Sequence, residues 1–304
     1  MLGSSLALRR VFVSVAPTSR GASAAFVAMN LAVAAARAGV PAALVDGEVE
    51  SPGVAASLAA APQGSAEVSR TLAAVAADAC TGCAACVDAC TYGAIRLAEG
   101  KAVAFDELCR GCAACLRACT AGAIAERKER VGEIEWARLV GGLAGPAVLD
   151  VVSGRLDVGR SERPAVIEAA RRRSAVFARL LTVIVSPAGV SRAAVAAQRG
   201  ADVLVLVAEP TKQGVRGLER AVGLGRMIEA PIGVVVDGAG PCEGEVEKLA
   251  ASRGVPVLAR IPDRPAIAAM RASGGIVLDG LEHASGWVDE LFAGVSVLAG
   301  RSAE

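Results

Sequence analysis

Charge of one sign is missing from this 304-residue chain: Lys and Arg number 32 against 31 Asp and Glu, a net charge of +1. A phosphate backbone would find no electrostatic footprint on it, which excludes nucleic acid as the main partner. Long apolar runs are missing too. The longest, such as Leu180 to Val185 and Val203 to Ala208, are six residues, against the ~20 that a membrane-spanning helix needs. No basic stretch precedes an apolar one at the start, because Arg9 and Arg10 lead straight into a Val-rich strand pattern, so the expectation is a cytoplasmic chain without a membrane span. One histidine, His283, stands in the whole sequence. A His-rich metal site is excluded, and Ser-His-Asp hydrolysis would rest on that residue alone. Aromatics are only 3% while hydrophobic residues reach 54%, so the core must be built from Ala, Val, Leu and Ile and the chain is globular rather than disordered. At about 100 to 200 residues per domain, the length allows one large domain or two.

What the sequence does have is cysteine, and it is concentrated. Eight of the nine fall in two runs, Cys80, Cys83, Cys86, Cys90 and Cys109, Cys112, Cys115, Cys119, both spelling C-x2-C-x2-C-x3-C. Residues 80–95 and 109–124 are identical at 12 of 16 positions, a duplication with a 29-residue period. Zinc sites pair two separated C-x2-C knuckles and do not need the 2-2-3 spacing. Disulfide frameworks belong to small secreted domains. The run resembles bacterial-type ferredoxins, which hold two [4Fe-4S] clusters on this spacing. That resemblance implies one cluster on Cys80, Cys83, Cys86 and Cys119 and a second on Cys90, Cys109, Cys112 and Cys115, with the fourth cysteine of each run starting a helix toward the other cluster. Gly82, Ala84, Ala85 and Gly111, Ala113, Ala114 are small enough to let backbone N–H groups approach cluster sulfur, and Ile95 and Ile124 would cover the cubes. The proline that normally follows the fourth cysteine is Thr91 in one run and Thr120 in the other, a residue that can also begin a helix. Cys242, alone in a Gly-rich loop, reads as a non-ligand.

Outside residues 73–130 short apolar runs alternate with amphipathic stretches, the pattern of a parallel sheet with crossover helices. Strands are expected at Val11 to Val15, Ala42 to Asp46, Leu181 to Val185, Asp202 to Val207, Ile232 to Val236 and Val255 to Leu258, and helices at Ala24 to Ala38, Ser191 to Gln198 and Val215 to Ile228. The expected organisation is an α/β domain over 1–72 and 131–304, interrupted by a small α+β ferredoxin domain over 73–130. The charge run Glu126 to Arg130 reads as its exit linker or as a solvated helix end.

The succession VFVSVAPTSRGASAAFVAMNLAVAAARAGVPAALVDGEVESPG, the cysteine pair, SGRLDVGR, VIVSPAGVS, ADVLVLVAEPTKQG, PIGVVVDG and GVPVLARIPD resembles MinD/ParA-type P-loop ATPases that carry an inserted ferredoxin domain, over nearly the whole chain. The resemblance implies a mostly parallel P-loop-NTPase-like sheet with helices on both faces, ATP and magnesium as ligands, and a homodimer or a heterodimer with an intact paralogue. The residues themselves argue against the nucleotide. Where the family reads K-G-G-T-G-K-T-T, this chain has Ser19, Arg20, Gly21, Ala22, Ser23, Ala24, Ala25 and Phe26, and its first lysine anywhere is Lys101. The D-x-P-P-G loop is Val185, Ser186, Pro187, Ala188, Gly189, and Asp237 stands where an Asn would read adenine. A triphosphate stripped of water needs fixed cations or magnesium ligands in return. Arg20, Gly21 and Ser23 with Asp46 are what remains of a nucleotide pocket. Arg20 and Ser23 could still form a weakened anion site or be ordinary loop residues, while Asp46 and Glu48 read equally as relics of the magnesium loop or as a solvated turn. The expected function is intracellular electron transfer to a redox partner protein on a scaffold that no longer hydrolyses ATP. A nucleotide-gated ATPase, alone or as half of a heteromer, and an iron-sulfur assembly carrier are the alternatives. The carrier is disfavoured because Cys242 is the only cysteine of the α/β body.

Overall fold

The computed structural model describes residues 9–20, 23–279 and 285–301; His283 and Gly21 lie outside them. The chain divides into a larger unit, 1–66 with 133–304, and a smaller unit, 67–132. In order the elements are β1 (Val11–Pro17), α1 (Ala24–Arg37), β2 (Ala42–Asp46), α2 (Val54–Ser57), β3 (Gly64–Val75), α3 (Ala85–Asp88), β4 (Ile95–Ala98), β5 (Lys101–Ala104), α4 (Ala114–Ala118) and β6 (Ile124–Val140). They continue with β7 (Val148–Leu156), α5 (Arg163–Phe177), β8 (Leu181–Val185), α6 (Arg192–Gln198), β9 (Val203–Ala208), α7 (Lys212–Met227), β10 (Ile232–Asp237), α8 (Glu243–Ser252), β11 (Val257–Ile261), α9 (Pro265–Ala272) and α10 (Gly286–Arg301).

The larger unit is a parallel sheet with the order β11-β10-β9-β1-β8-β2-β7, extended by β6 and β3. Parallel strands covered on both faces read as unbroken apolar runs rather than alternating ones. VLVLVA of β9 and IGVVVD of β10 are accordingly buried at every position. Period-2 side-chain direction divides the core between the two faces. Val13, Val15, Val183, Val185, Val205 and Val207 join α1 and α10 on one face, while Ala16, Leu204, Leu206, Val234 and Val236 join α7 and α8 on the other. Helix α1 is buried along most of its length because Ala fills its faces. Its one polar interior residue, Asn30, is satisfied: Nδ2 donates to the Phe26 carbonyl and Oδ1 accepts the Val277 N–H, both at 2.9 Å. Thr211 and Ser191 cap α7 and α6 through their hydroxyl oxygens.

The sheet agrees with the expected fold class, and most of its named strands lie within a residue of the expected positions. The strand expected at Val255 to Leu258 sits later, at Val257–Ile261. Strands β3, β6 and β7 were not foreseen. The charge run Glu126 to Arg130 is neither a linker nor a helix end but part of the 17-residue β6. Its charges are matched within the smaller unit: Arg70 pairs with Glu129 at 2.6 Å, Arg127 with Asp106 at 2.6 Å, and Arg130 with Glu67 at 3.8 Å. Pairing across extended chain lets a polar run persist as a strand without an apolar face.

The smaller unit has its own core of Cys86, Ile95, Ala102, Cys115 and Ile124. An antiparallel hairpin, β4 with β5, turns through Glu99 and Gly100, both at positive φ.

Candidate functional site

The sequence duplication appears in the smaller unit as two matching loops. Each begins with a cysteine and passes through a glycine and an alanine held at positive φ, Gly82 (72°) and Ala84 (63°) in one, Gly111 (66°) and Ala113 (56°) in the other. Each then enters a short helix, α3 or α4, that contains the third cysteine. The glycines are required twice over. A Cβ on Gly82 would come within 2.3 Å of the Gly100 carbonyl oxygen, and one on Gly111 within 2.6 Å of the Thr71 carbonyl oxygen. One expectation is corrected here: the fourth cysteine does not start a helix. The helical turn precedes it, and Thr91 and Thr120 lie in turns that follow. The loop glycine and the left-handed alanine place the helical turn at the third cysteine, and Gly93 and Gly122, both at positive φ, carry the chain away after the fourth.

All nine cysteines are free thiols. Cys80, Cys83, Cys86 and Cys119 line one cavity, together with Leu97, Ala102 and Ile124. Cys90, Cys109, Cys112 and Cys115 line another, with Tyr92, Ile95 and Ile124. The first three cysteines of each run therefore share a cavity with the fourth cysteine of the other run. Cys86 and Cys115 are buried, while Cys83 and Cys112 are exposed. Backbone N–H groups already point at sulfur: Ala94 donates to Cys90 Sγ at 3.3 Å, Ala102 to Cys80 Sγ at 3.4 Å and Ala123 to Cys119 Sγ at 3.3 Å. The Ala102 and Gly82 N–H groups hold the Cys80 thiol below its ordinary pKa, and those of Ala85 with the Thr81 hydroxyl do the same for Cys83. Burial pushes Cys86 and Cys115 up. Among the described residues no three His, Cys, Asp or Glu side chains converge tightly enough to hold one metal ion. Four thiols spaced round a cavity, with amide N–H donors aimed at sulfur, fit a bulky polynuclear group better than a single zinc.

The second candidate region lies in the larger unit at the carboxyl end of β1. Ser23 and Asp46 both line a cleft of about 250 Å³, with Phe26, Glu48, Gly53, Val54 and Arg271. Arg20 is exposed and is not among its lining residues. Asp46 is buried, and its carboxylate is already engaged. Oδ1 accepts the Glu48 N–H at 3.1 Å, and Oδ2 accepts those of Gly53 at 2.8 Å and Val54 at 3.0 Å. Burial still raises its pKa above the usual carboxylate range despite these donors. Glu48 is raised as well, first by burial and then by Asp46 and Glu50, against a lowering by Arg163. Asp46 thus organises the loop that leads into α2 and is not a solvated turn residue.

Ser23, at the N-cap of α1, donates its backbone N–H to Asp237 Oδ2 at 2.8 Å. Asp237, at the end of β10, is held in turn by Arg271 of α9 at 3.1 Å, and that guanidinium lies 5.8 Å from the Phe26 ring centre. A helix N-terminus reached from a β1–α1 loop is where P-loop proteins place phosphate. Here it holds one of the chain's own carboxylates. The sequence singled out Asp237 only for standing in the place of an Asn and missed Arg271 altogether. No spacing rule joins residues 23, 237 and 271, so only the fold could bring them together. Cys242 is buried ahead of α8, with its N–H bonded to the Pro210 carbonyl.

Residues 79–124 match the family model of the 4Fe-4S dicluster domain. The smaller unit is thus a ferredoxin-type 4Fe-4S domain. No curated protein matches the chain. Among solved structures, the cell division ATPase MinD of Pyrococcus furiosus is 16% identical, with 96% of this chain and 98% of that one covered and a TM-score of 0.56. The septum site-determining protein MinD of Pyrococcus horikoshii OT3, complexed with Mg-ADP, is 16% identical over 98% of this chain and 100% of that one, with a TM-score of 0.57. The MinD cell division protein of Aquifex aeolicus is 14% identical over 96% and 97%, with a TM-score of 0.53. The chain has the MinD/ParA-type P-loop fold and carries a 4Fe-4S domain. No helix among the described residues is long and apolar enough to cross a membrane.

Proposed function

We propose that this chain is an electron-transfer protein holding two [4Fe-4S] clusters, one on Cys80, Cys83, Cys86 and Cys119 and one on Cys90, Cys109, Cys112 and Cys115. The observation that carries this reading is the crosswise gathering of thiols, three from one repeat and one from the other, round each of two cavities. Each cluster when bound accepts and gives up one electron. The chain's own contribution is thiolate ligation, N–H···S bonds from Ala94, Ala102 and Ala123, and apolar cover from Ile95 and Ile124. The bond-making chemistry then belongs to a redox partner.

The same reading makes the larger unit a scaffold that does not hydrolyse ATP. The segment leading into α1 contains no lysine, Asp46 is engaged by three backbone N–H groups, and Asp237 takes the N–H of Ser23 where a phosphate oxygen would otherwise be bound. A nucleotide-gated role, alone or beside an intact paralogue, is the competing reading, supported by the likeness to a fold that in the Pyrococcus horikoshii protein holds Mg-ADP.

Anaerobic reconstitution followed by iron analysis and calorimetric titration with ATP and ADP, with and without magnesium, separates these. The expected result is about eight irons per chain and no nucleotide binding tighter than roughly 100 μM, about −5.5 kcal/mol. Tighter binding would restore the nucleotide-gated reading, and transfer of the clusters to an apo-acceptor within minutes would point to a carrier.

A further inference from the structure

The 29-residue duplication lets one cluster site serve as the control for the other, because most residues of one repeat have a counterpart in the other. The cysteines, Gly82 with Gly111 and Ala84 with Ala113 are unchanged between the repeats. The charges are not. Thr81 becomes Arg110, Asp88 becomes Arg117, Arg96 becomes Ala125, Leu97 becomes Glu126, Glu99 becomes Lys128 and Leu72 becomes Lys101.

These differences fall unevenly in space. Arg110 and Glu126 line the cavity of Cys90, Cys109, Cys112 and Cys115. Arg117 extends its guanidinium to the Cys112 carbonyl at 3.4 Å, and the Lys128 ammonium donates to the Thr71 hydroxyl on the rim of the same cavity. That site has three cations against one carboxylate. No charged side chain lines the cavity of Cys80, Cys83, Cys86 and Cys119. Lys101 donates to the Cys80 carbonyl at 2.6 Å, while Asp88 ends the helical turn of that loop and Glu99 stands at the turn of the hairpin whose Gly100 meets Gly82. With Arg96 on the hairpin beside Leu97, two cations stand against two carboxylates here, whereas the other site has an excess of two cations. Asp78 and Glu107, which precede the two loops at equivalent positions, cancel.

We infer that the two clusters are electronically inequivalent, and that Arg110, Arg117 and Lys128 make the site of Cys90, Cys109, Cys112 and Cys115 the one on which a single electron rests. The inference depends on the two-cluster reading proposed above. Reduction of each cluster, from the 2+ to the 1+ core state, takes one electron and adds one negative charge. Nearby cations stabilise that charge and nearby carboxylates oppose it. Arg110, Arg117, Asp88, Glu99 and Lys101 are exposed, so ions in solution weaken the effect.

The test is a potentiometric reduction with dithionite of the whole reconstituted chain, followed by EPR. Two separate one-electron steps are expected, drawing together as sodium chloride is raised toward 1 M. The pair Arg110→Thr and Arg117→Asp, which gives the second loop the residues of the first, lowers the higher potential and leaves the lower one in place. The reciprocal pair Thr81→Arg and Asp88→Arg raises the lower potential, so a folding failure in one variant still leaves the other to decide. Eight irons with coincident steps, with steps that neither exchange moves, or with both steps moving equally overturns this inference alone. A chain that takes up only four irons overturns the two-cluster reading, and this inference with it.

Discussion

Asp237 joins two groups that have little else to bind, so its removal should be costly out of proportion to its size. Asp237→Ala leaves the Ser23 N–H without its acceptor and Arg271, whose side chain is 32% exposed, without its carboxylate. Losing the partner of a half-buried charge and one hydrogen bond is expected to cost about 2–4 kcal/mol, read from the urea midpoint of unfolding. Asp237→Asn keeps an acceptor for Ser23 and should cost less. The cysteines allow a sharper experiment. If Cys80 and Cys119 serve one cluster, Cys80→Ala with Cys119→Ala removes no more iron than either change alone, about four atoms, whereas Cys109→Ala with Cys119→Ala removes about eight. The reverse pattern would assign each run its own cluster. At this scale the cysteine spacing was legible because ligand geometry is written into local sequence. The Ser23–Asp237–Arg271 contact was not, since Ser23 lies 214 residues ahead of Asp237 in the chain and each of the three alone is an ordinary polar residue.

Among the elements, the cluster loops depend on two glycines more than on their helices. Gly111→Ala puts a side chain at φ 66° and its Cβ 2.6 Å from the Thr71 carbonyl oxygen, and Gly82→Ala does the same at φ 72° and 2.3 Å from the Gly100 oxygen. Left-handed strain alone costs about 1–2 kcal/mol, and a carbonyl of the facing strand or turn cannot swing aside as a side-chain end can. Each variant is therefore expected to lose iron from its own cluster first, seen as a halved iron-to-protein ratio and the loss of one reduction step. Full iron in both variants would mean that the loops tolerate displacement. The helical turns differ from the expectation because that expectation came with the ferredoxin resemblance, which starts a helix at the fourth cysteine, whereas the αL alanine before the third cysteine sets where the turn forms. Strands β3 and β6 were hidden for another reason. Their sequences, GSAEVSRTLAAV and IAERKERVGEIEWARLV, are stabilised by cross-strand ion pairs such as Arg70 with Glu129, and an apolar-alternation reading cannot see those. The central strands were easy because burial on both faces demands continuous Val, Leu and Ile.

For the whole molecule, the separation of cores decides what iron contributes to stability. Two large buried clusters of the larger unit draw on α1, α7, α8, α10 and the sheet and contain no residue between 67 and 132. The core of the smaller unit gathers Cys86, Ile95, Ala102, Cys115 and Ile124, two of them thiols that face the cavities, and Val68, Leu72, Ala94, Ala123 and Val131 are buried besides. A core of that size is too small to hold about 65 residues by apolar burial alone, so on the two-cluster reading proposed above the bound iron is expected to supply much of its folding free energy. Chelation of iron under reducing conditions is accordingly expected to abolish the visible absorbance and to unfold the smaller unit, while the larger unit keeps its far-UV dichroism and its own cooperative thermal transition near the original midpoint. Exchange of backbone amides should follow the same division, with 67–132 losing protection on chelation and β1, β8, β9 and β10 retaining it. If instead the thermal transition of the larger unit falls in step with iron loss, the two units fold as one cooperative body, and the P-loop-type sheet is stabilised by the clusters of its insert.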